Sequence, residues 1–183
     1  MQKARCYTVY QKITRVKSVN KLLVICYGNL SRGDDALGPL AAEYIEQLCE
    51  QMHWQHITII TAYQLQIEQV IDIEQHATTL FVDADIACKS PFQITPCQAE
   101  TGQPHTSHAL SPNALLSVFQ RSYNKTPPPC YLLSIRGESF QLGQSLSAQA
   151  SQNLHLAKDY LKTLCERASI TLLANNKFAQ VYN

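Results

Sequence analysis

The sequence predicts an α/β domain of three layers, α/β/α, around a mostly parallel, twisted central sheet. Three observations carry that reading. Short apolar runs, Leu22–Tyr27, Ile57–Ala62, Thr78–Val82 and Cys130–Ile135, recur along the chain. Segments with apolar residues at helical spacing lie between them. Leu22–Tyr27 is apolar at every position, as expected of a strand covered on both faces, and strands alternating with helices build such a sheet.

Each element follows from its local pattern. Leu22–Tyr27 ends at the turn signal Gly28-Asn29. Asp34-Asp35 then precede Ala36, Leu37, Leu40, Ala41, Tyr44, Ile45 and Leu48, which recur at helical spacing. Ile57–Ala62 is a second, β-branched strand, and Leu65–Ile73 reads as a short helix with Ile67, Val70 and Ile71 on one side. Thr78–Val82 is a third strand closed by Asp83, and Phe92–Pro96 a short strand leading into the polar loop Gln98–Ser107. Ser111 caps a helix with Pro112 at its first position and Leu115, Leu116 and Phe119 as its stripe. Pro127-Pro128-Pro129 form a stiff connector before the strand Cys130–Ile135. Ser147 opens the last long helix, with Ala150, Leu154, Ala157, Leu161 and Leu164 toward the core. Residues 1–20 hold no acid and several bases, and are expected to form an N-terminal basic arm; one domain is expected over residues 21–183.

Bulk composition excludes several classes. A chain of 183 residues with 45% apolar residues has enough material for one core. A net charge of +1 argues against a dedicated binder of nucleic acid or of membrane surfaces. Its apolar runs are too short to cross a bilayer, and the basic start lacks the apolar stretch of a secretory signal. Seven dispersed cysteines without a CxxC pair read as reduced thiols, so the expected location is cytoplasmic. No GxGxxG, GxxxxGK[ST], GxSxG or HExxH pattern occurs.

Sites in open α/β sheets form beyond the carboxyl ends of the strands. Here the first strand runs into Gly28–Asp35, the third ends on Asp83-Ala84-Asp85, and a later loop carries His105 and His108. Two carboxylates and an imidazole meeting at one rim would suit a borderline divalent metal and leave positions open for substrate or water. Each residue also has an ordinary reading. An Asp at a helix start more often caps or meets the helix dipole, and a lone loop His is usually solvated. For Asp34-Asp35 both readings can hold, with one residue capping and its neighbour facing the cleft.

At these same positions the chain resembles the hydrogenase maturation endopeptidases. Their first strand leads into GNxxxxDDgvG, matched here from Gly28-Asn29 through Asp34-Asp35-Ala36-Leu37-Gly38. Their third strand ends in an apolar-Asp-Ala signature, matched by Leu80-Phe81-Val82-Asp83-Ala84. A later His before a helix start is matched by His108-Ala109-Leu110-Ser111-Pro112, and the late strand and helix start by Leu132–Glu138 and Gly143–Ser147. The resemblance spans roughly residues 21–165. It departs from the family after the second strand, where a Gly-Thr turn is replaced by Ala62-Tyr63-Gln64-Leu65; this loop looks more like a subgroup associated with bidirectional NAD-linked hydrogenases.

The resemblance implies an endopeptidase that removes the C-terminal extension of a [NiFe] hydrogenase large-subunit precursor after nickel insertion. Asp35, Asp83 and His108 would be both the catalytic and the metal-contacting residues, with Asp85 and His105 as spare donors. The nickel would arrive with the precursor, other divalent ions being able to substitute. The expected partner is that precursor, with no nucleic acid and no membrane, and the expected working form is a monomer. Two other classes share these residues: a nickel-binding accessory protein without peptidase activity, and a nucleotide-binding enzyme with a phosphate pocket at Gly28–Gly33.

Overall fold

The computed structural model describes residues 22–100 and 110–167. Strands β1 (Leu22–Tyr27), β2 (Ile57–Ala62), β3 (Thr78–Asp85), β4 (Phe92–Cys97) and β5 (Cys130–Arg136) form one sheet in the order β2-β1-β3-β5-β4. All neighbours run parallel except β4, which among the described residues closes one edge antiparallel to β5. Helices α1 (Leu37–Met52) and α4 (Ala148–Arg167) cover one face, and α2 (Val70–Gln75) and α3 (Pro112–Tyr123) the other. The predicted three-layer, mostly parallel architecture is therefore borne out. Along β1, Leu22, Val24 and Cys26 join the core under α1 and α4, while Leu23 and Ile25 join the core under α2 and α3. No position on β1 faces water, which is why the run is apolar throughout.

Local physics accounts for most boundaries. The Ser111 hydroxyl accepts the Ala114 N–H at 3.1 Å with Pro112 at the first helical position, and Leu115, Leu116 and Phe119 are buried. Ala150, Leu154, Ala157, Leu161 and Leu164 line the buried side of α4 as expected. Two expectations need correction. First, β3 runs three residues past Val82, because its pairing with β5 continues to Asp85 opposite Arg136. Second, the segment expected as a helix over Leu65–Ile73 is a 3-10 turn, Ile67–Gln69, followed by the short α2. A 3-10 turn advances by about 120° per residue and not about 100°, so the phase slips. Leu65, Val70 and Ile73 point inward, and Ile67 and Ile71 face solvent. Residues 1–20, His105, His108 and the segment from Ile170 lie outside the described residues.

Edge strand β4 carries a proline without disturbing the ladder. Arg136 N–H donates to the Pro91 carbonyl just before the Phe92–Ile135 pair, so hydrogen-bonded and non-hydrogen-bonded pairs alternate from there. Pro96, opposite Tyr131, falls on a non-hydrogen-bonded position, where its missing N–H costs no ladder bond.

The fold is tied together at one buried carboxylate. Asp34 is fully buried in a 3-10 turn, Gly33–Ala36, between β1 and α1. Its Oδ2 accepts the N–H groups of Glu138 at 2.7 Å and Ser139 at 2.9 Å, and the Ser147 hydroxyl at 2.9 Å. Its Oδ1 accepts the Ser147 N–H at 2.7 Å. The Ser147 hydroxyl in turn accepts the Ala150 N–H at 3.1 Å, capping α4. Backbone bonds run alongside: Asp34 N–H to the Ser139 carbonyl, Gly33 N–H to that of Gln144, and Gly143 N–H to that of Ser31. The exit loop of β1 and the β5–α4 loop thus behave as one unit.

Burial acts to raise the Asp34 carboxyl, yet the three N–H groups and the Ser147 hydroxyl together hold it below the usual range. Its contribution to stability is therefore present above the ordinary value of 3.8 and is lost as pH falls through the lower folded value. Asp34→Ala leaves three buried N–H groups without an acceptor and should cost roughly 3–5 kcal/mol in chemical denaturation at pH 7. The deficit should shrink below about pH 4, where the unfolded wild-type chain takes up a proton that the folded carboxylate still resists.

Candidate functional site

Strand order places a crevice between β1 and β3. From β1 the chain crosses through α1 to β2 on one side, then through α2 to β3 on the other side of β1. Connections that diverge in this way leave an opening at the carboxyl ends of the two central strands. Asp35 and Asp83 both lie at that end, one just past β1 and one near the end of β3.

Two glycines make the close approach possible. Gly28 has φ +142°, and a Cβ there would lie 2.1 Å from the Asp35 carbonyl oxygen. At Gly38, a Cβ would lie 2.2 Å from the Tyr27 carbonyl and 3.0 Å from that of Val82. The first turn of α1 therefore rests directly on the ends of β1 and β3. Asp35 Oδ2 accepts the Asn29 N–H at 3.1 Å, which closes the loop over the crevice. The Asn29 side chain accepts the Ser31 N–H at 2.9 Å and donates to the Tyr63 hydroxyl at 3.0 Å, joining the loops that follow β1 and β2.

Asp83 sits deeper. Its Oδ1 accepts the Ala84 N–H at 2.8 Å, and the Tyr27 hydroxyl donates to its carboxylate. Burial is the largest influence and pushes the carboxyl up to about 7. The two hydrogen bonds pull it down, whereas the charges of Asp35 and Asp85 push it further up. Burial, followed by Asp83, also raises the Tyr27 hydroxyl far above its ordinary range, so Tyr27 remains a donor. Near neutral pH Asp83 is thus divided between acid and carboxylate, a state suited to proton exchange. Asp85 accepts the Ala87 N–H at 2.7 Å, so its carboxylate closes a turn while adding negative charge to the crevice.

Of the three residues expected at the rim, Asp35 and Asp83 lie at the same end of the sheet; His108 and the spare His105 lie outside the described residues. Among the described residues, no three His, Cys, Asp or Glu side chains are grouped closely enough to hold a metal ion. Asp35 and Asp83 offer two hard oxygen donors to an ion that brings other ligands with it. Of the adjacent pair, Asp34 is the structural carboxylate and Asp35 the one at the crevice. In the sequence Tyr27 marks only a strand end and Asn29 only a turn; their partners come from β3 and from the loop after β2.

The loop offers no cradle for phosphate. The N–H groups of Gly28, Asn29, Ser31, Arg32, Gly33, Asp34 and Asp35 all donate to acceptors within the protein. A phosphate site needs such groups free and convergent. Cysteine chemistry is equally disfavoured. Cys26 is fully buried beside the crevice, and burial raises its thiol well above the usual range. The six cysteines among the described residues are all free thiols.

No protein-family profile matches the chain, and no curated protein does. Among the described residues, no helix is long and apolar enough to cross a membrane. Solved structures do match. A [NiFe] hydrogenase maturation protease, HycI, from Thermococcus kodakarensis KOD1 aligns at a TM-score of 0.63 and 17% identity, over 80% of this chain and 93% of its own. The hydrogenase maturating endopeptidase HybD from E. coli aligns at 0.62 and 19%, with the same coverage of each chain. A hydrogenase 3 maturation protease aligns at 0.55 and 20%, over 77% of this chain and 88% of its own. Identities this low establish likeness of fold, and the chain has the fold of the [NiFe] hydrogenase maturation proteases.

Proposed function

We propose that this chain is an endopeptidase that removes the C-terminal extension of a [NiFe] hydrogenase large-subunit precursor once nickel has been inserted. The observation that carries the reading is the pair Asp35 and Asp83, both at the carboxyl ends of β1 and β3 with the Asp35 charge acting on Asp83, in a fold shared with proteins named for that activity. The resemblance at Gly28–Gly38, Leu80–Ala84 and His108–Pro112 points the same way and supplies the imidazole.

In this reading the nickel is part of the substrate. Asp35, Asp83 and His108 contact it, so an unloaded precursor lacks a main point of attachment. A divalent ion at the scissile bond polarises the carbonyl or lowers the pKa of a bound water. A carboxylate of the pair that the ion leaves free, Asp35 or Asp83, accepts that water's proton, and the Tyr27 hydroxyl donates a hydrogen bond to the Asp83 carboxyl. Raised cysteine pKa values at Cys26 and Cys88 speak against a thiolate nucleophile at the strand ends. The protein acts on a soluble precursor in the cytoplasm as a monomer.

Incubating the full-length protein with nickel-loaded and nickel-free precursor, followed by mass measurement of the precursor, tests the reading directly. The loaded form alone should lose its extension. Binding without cleavage would favour an accessory role in nickel handover. Asp35→Ala, Asp83→Ala and His108→Ala should each lower processing by roughly a hundredfold or more, the scale expected when a group acting on the reacting centre is removed. All three should remain folded by circular dichroism, and wild-type rates in all three would reject the assignment.

Asp83 also fixes a pH dependence of stability in the free protein. Its folded carboxyl keeps its proton up to about 7, whereas an ordinary one loses it near 3.8. The folded state therefore holds the extra proton between these values, and the stability this confers is lost as pH rises through them. Asp83→Asn removes the penalty of ionisation, so unfolding titrations should show it gaining on wild type from pH 4 to pH 8, by on the order of 2–4 kcal/mol. A difference independent of pH would show that Asp83 titrates normally.

A further inference from the structure

Eight large apolar side chains are exposed among the described residues, and four of them share one end of the sheet. Leu30 (65% exposed), Tyr63 (67%), Ile86 (57%) and Leu142 (76%) lie in the loops that leave β1, β2, β3 and β5 respectively. Each of the four parallel strands thus contributes one. Single exposed apolar residues need no explanation, but a connected set does. These loops are connected. The Tyr63 hydroxyl accepts a hydrogen bond from Asn29, next to Leu30. The Ser31 carbonyl accepts the Gly143 N–H at 2.7 Å, next to Leu142. The Asp85 carbonyl, next to Ile86, accepts the Gly137 N–H at 3.2 Å, at the start of the loop that carries Leu142.

At the same end of the sheet stand Asp35, Asp83 and Asp85, and the charges of Asp35 and Asp85 add to the cost of ionising Asp83. That combination selects the occupant. An apolar partner would seal three carboxylates away from water without compensation. A second copy of this chain, docked ring to ring, would set acid against acid. A polar partner would leave the four apolar side chains without a contact. A polypeptide with a positively charged centre flanked by apolar side chains satisfies both ring and centre.

We propose that Leu30, Tyr63, Ile86 and Leu142 form an apolar collar that docks the precursor polypeptide on either side of its charged, metal-bearing centre. The inference rests on the endopeptidase reading above and assigns its affinity to residues other than the carboxylates. The side chains are exposed, so polar replacements leave the core intact. Collar residues hold substrate and transition state alike, and their loss acts on KM with kcat preserved.

The test compares full-length wild type with Leu30→Ser/Leu142→Ser and Tyr63→Ser/Ile86→Ser, using the nickel-loaded large-subunit precursor. Both processing kinetics and direct binding by titration calorimetry are measured. KM and Kd should rise roughly tenfold in each double variant, with kcat within twofold, as expected for loss of two partly buried anchors. Collar-dependent binding without cleavage by wild type would support the collar and overturn the peptidase reading. Cleavage with unchanged KM and Kd would overturn the collar and leave the peptidase reading standing. Failure of wild type to bind the precursor overturns both. A wild-type dimer in sedimentation that the serine variants dissolve would overturn the collar in favour of self-association.

Discussion

A single buried carboxylate holds the functional end of this molecule in shape. Taking the Asp34 charge out of water is costly, and the structure offsets that cost with three amide N–H groups and a hydroxyl, all drawn from the β5–α4 connection. The exchange is mutual: those amides sit in a loop that has little regular structure to satisfy them. Asp34 thereby fixes where the 3-10 turn stands, and the turn fixes Asp35 one residue later. The Ser147 cap of α4, the loop around Gly143 and the mouth of the crevice all depend on the same anion.

Three nearby carboxylates then differ in character because their surroundings differ. Asp34 is held in its charged form by convergent donors, even though burial opposes it. Asp83 has only one amide and the Tyr27 hydroxyl against burial and two neighbouring negative charges, and it moves the other way. Asp35 remains at the surface of the crevice, held by the Asn29 amide. One side-chain chemistry thus supplies a permanent structural anion, a group able to exchange protons near neutrality, and a carboxylate fixed at the rim by a backbone amide.

Much of this was legible in the chain itself. Continuous apolar runs mark strands buried on both faces, and Ser111-Pro112 and Ser147 mark helix starts through chemistry confined to a few neighbouring residues. Legibility ends where long-range partners decide. The stretch Asp83–Asp85 is polar, yet it is strand because β5 pairs with it. The inward face of α2 could not be phased, because the preceding 3-10 turn shifts the period. Asp34 and Asp35 are identical neighbours, and only partners 104 to 113 residues away tell them apart. Likewise Tyr27 reads as the last residue of a strand until β3 brings Asp83 beside it.

Pro96 has a meaning at another scale. On β4, the edge strand among the described residues, the non-hydrogen-bonded positions turn their N–H and C=O groups outward, toward any strand that approaches from that side. At Pro96 the outward-facing donor is missing, and a rigid ring stands in its place. A foreign strand laid along β4 would find its ladder interrupted midway, so this border of the sheet resists chain-to-chain stacking and the fibrous assemblies that stacking begets.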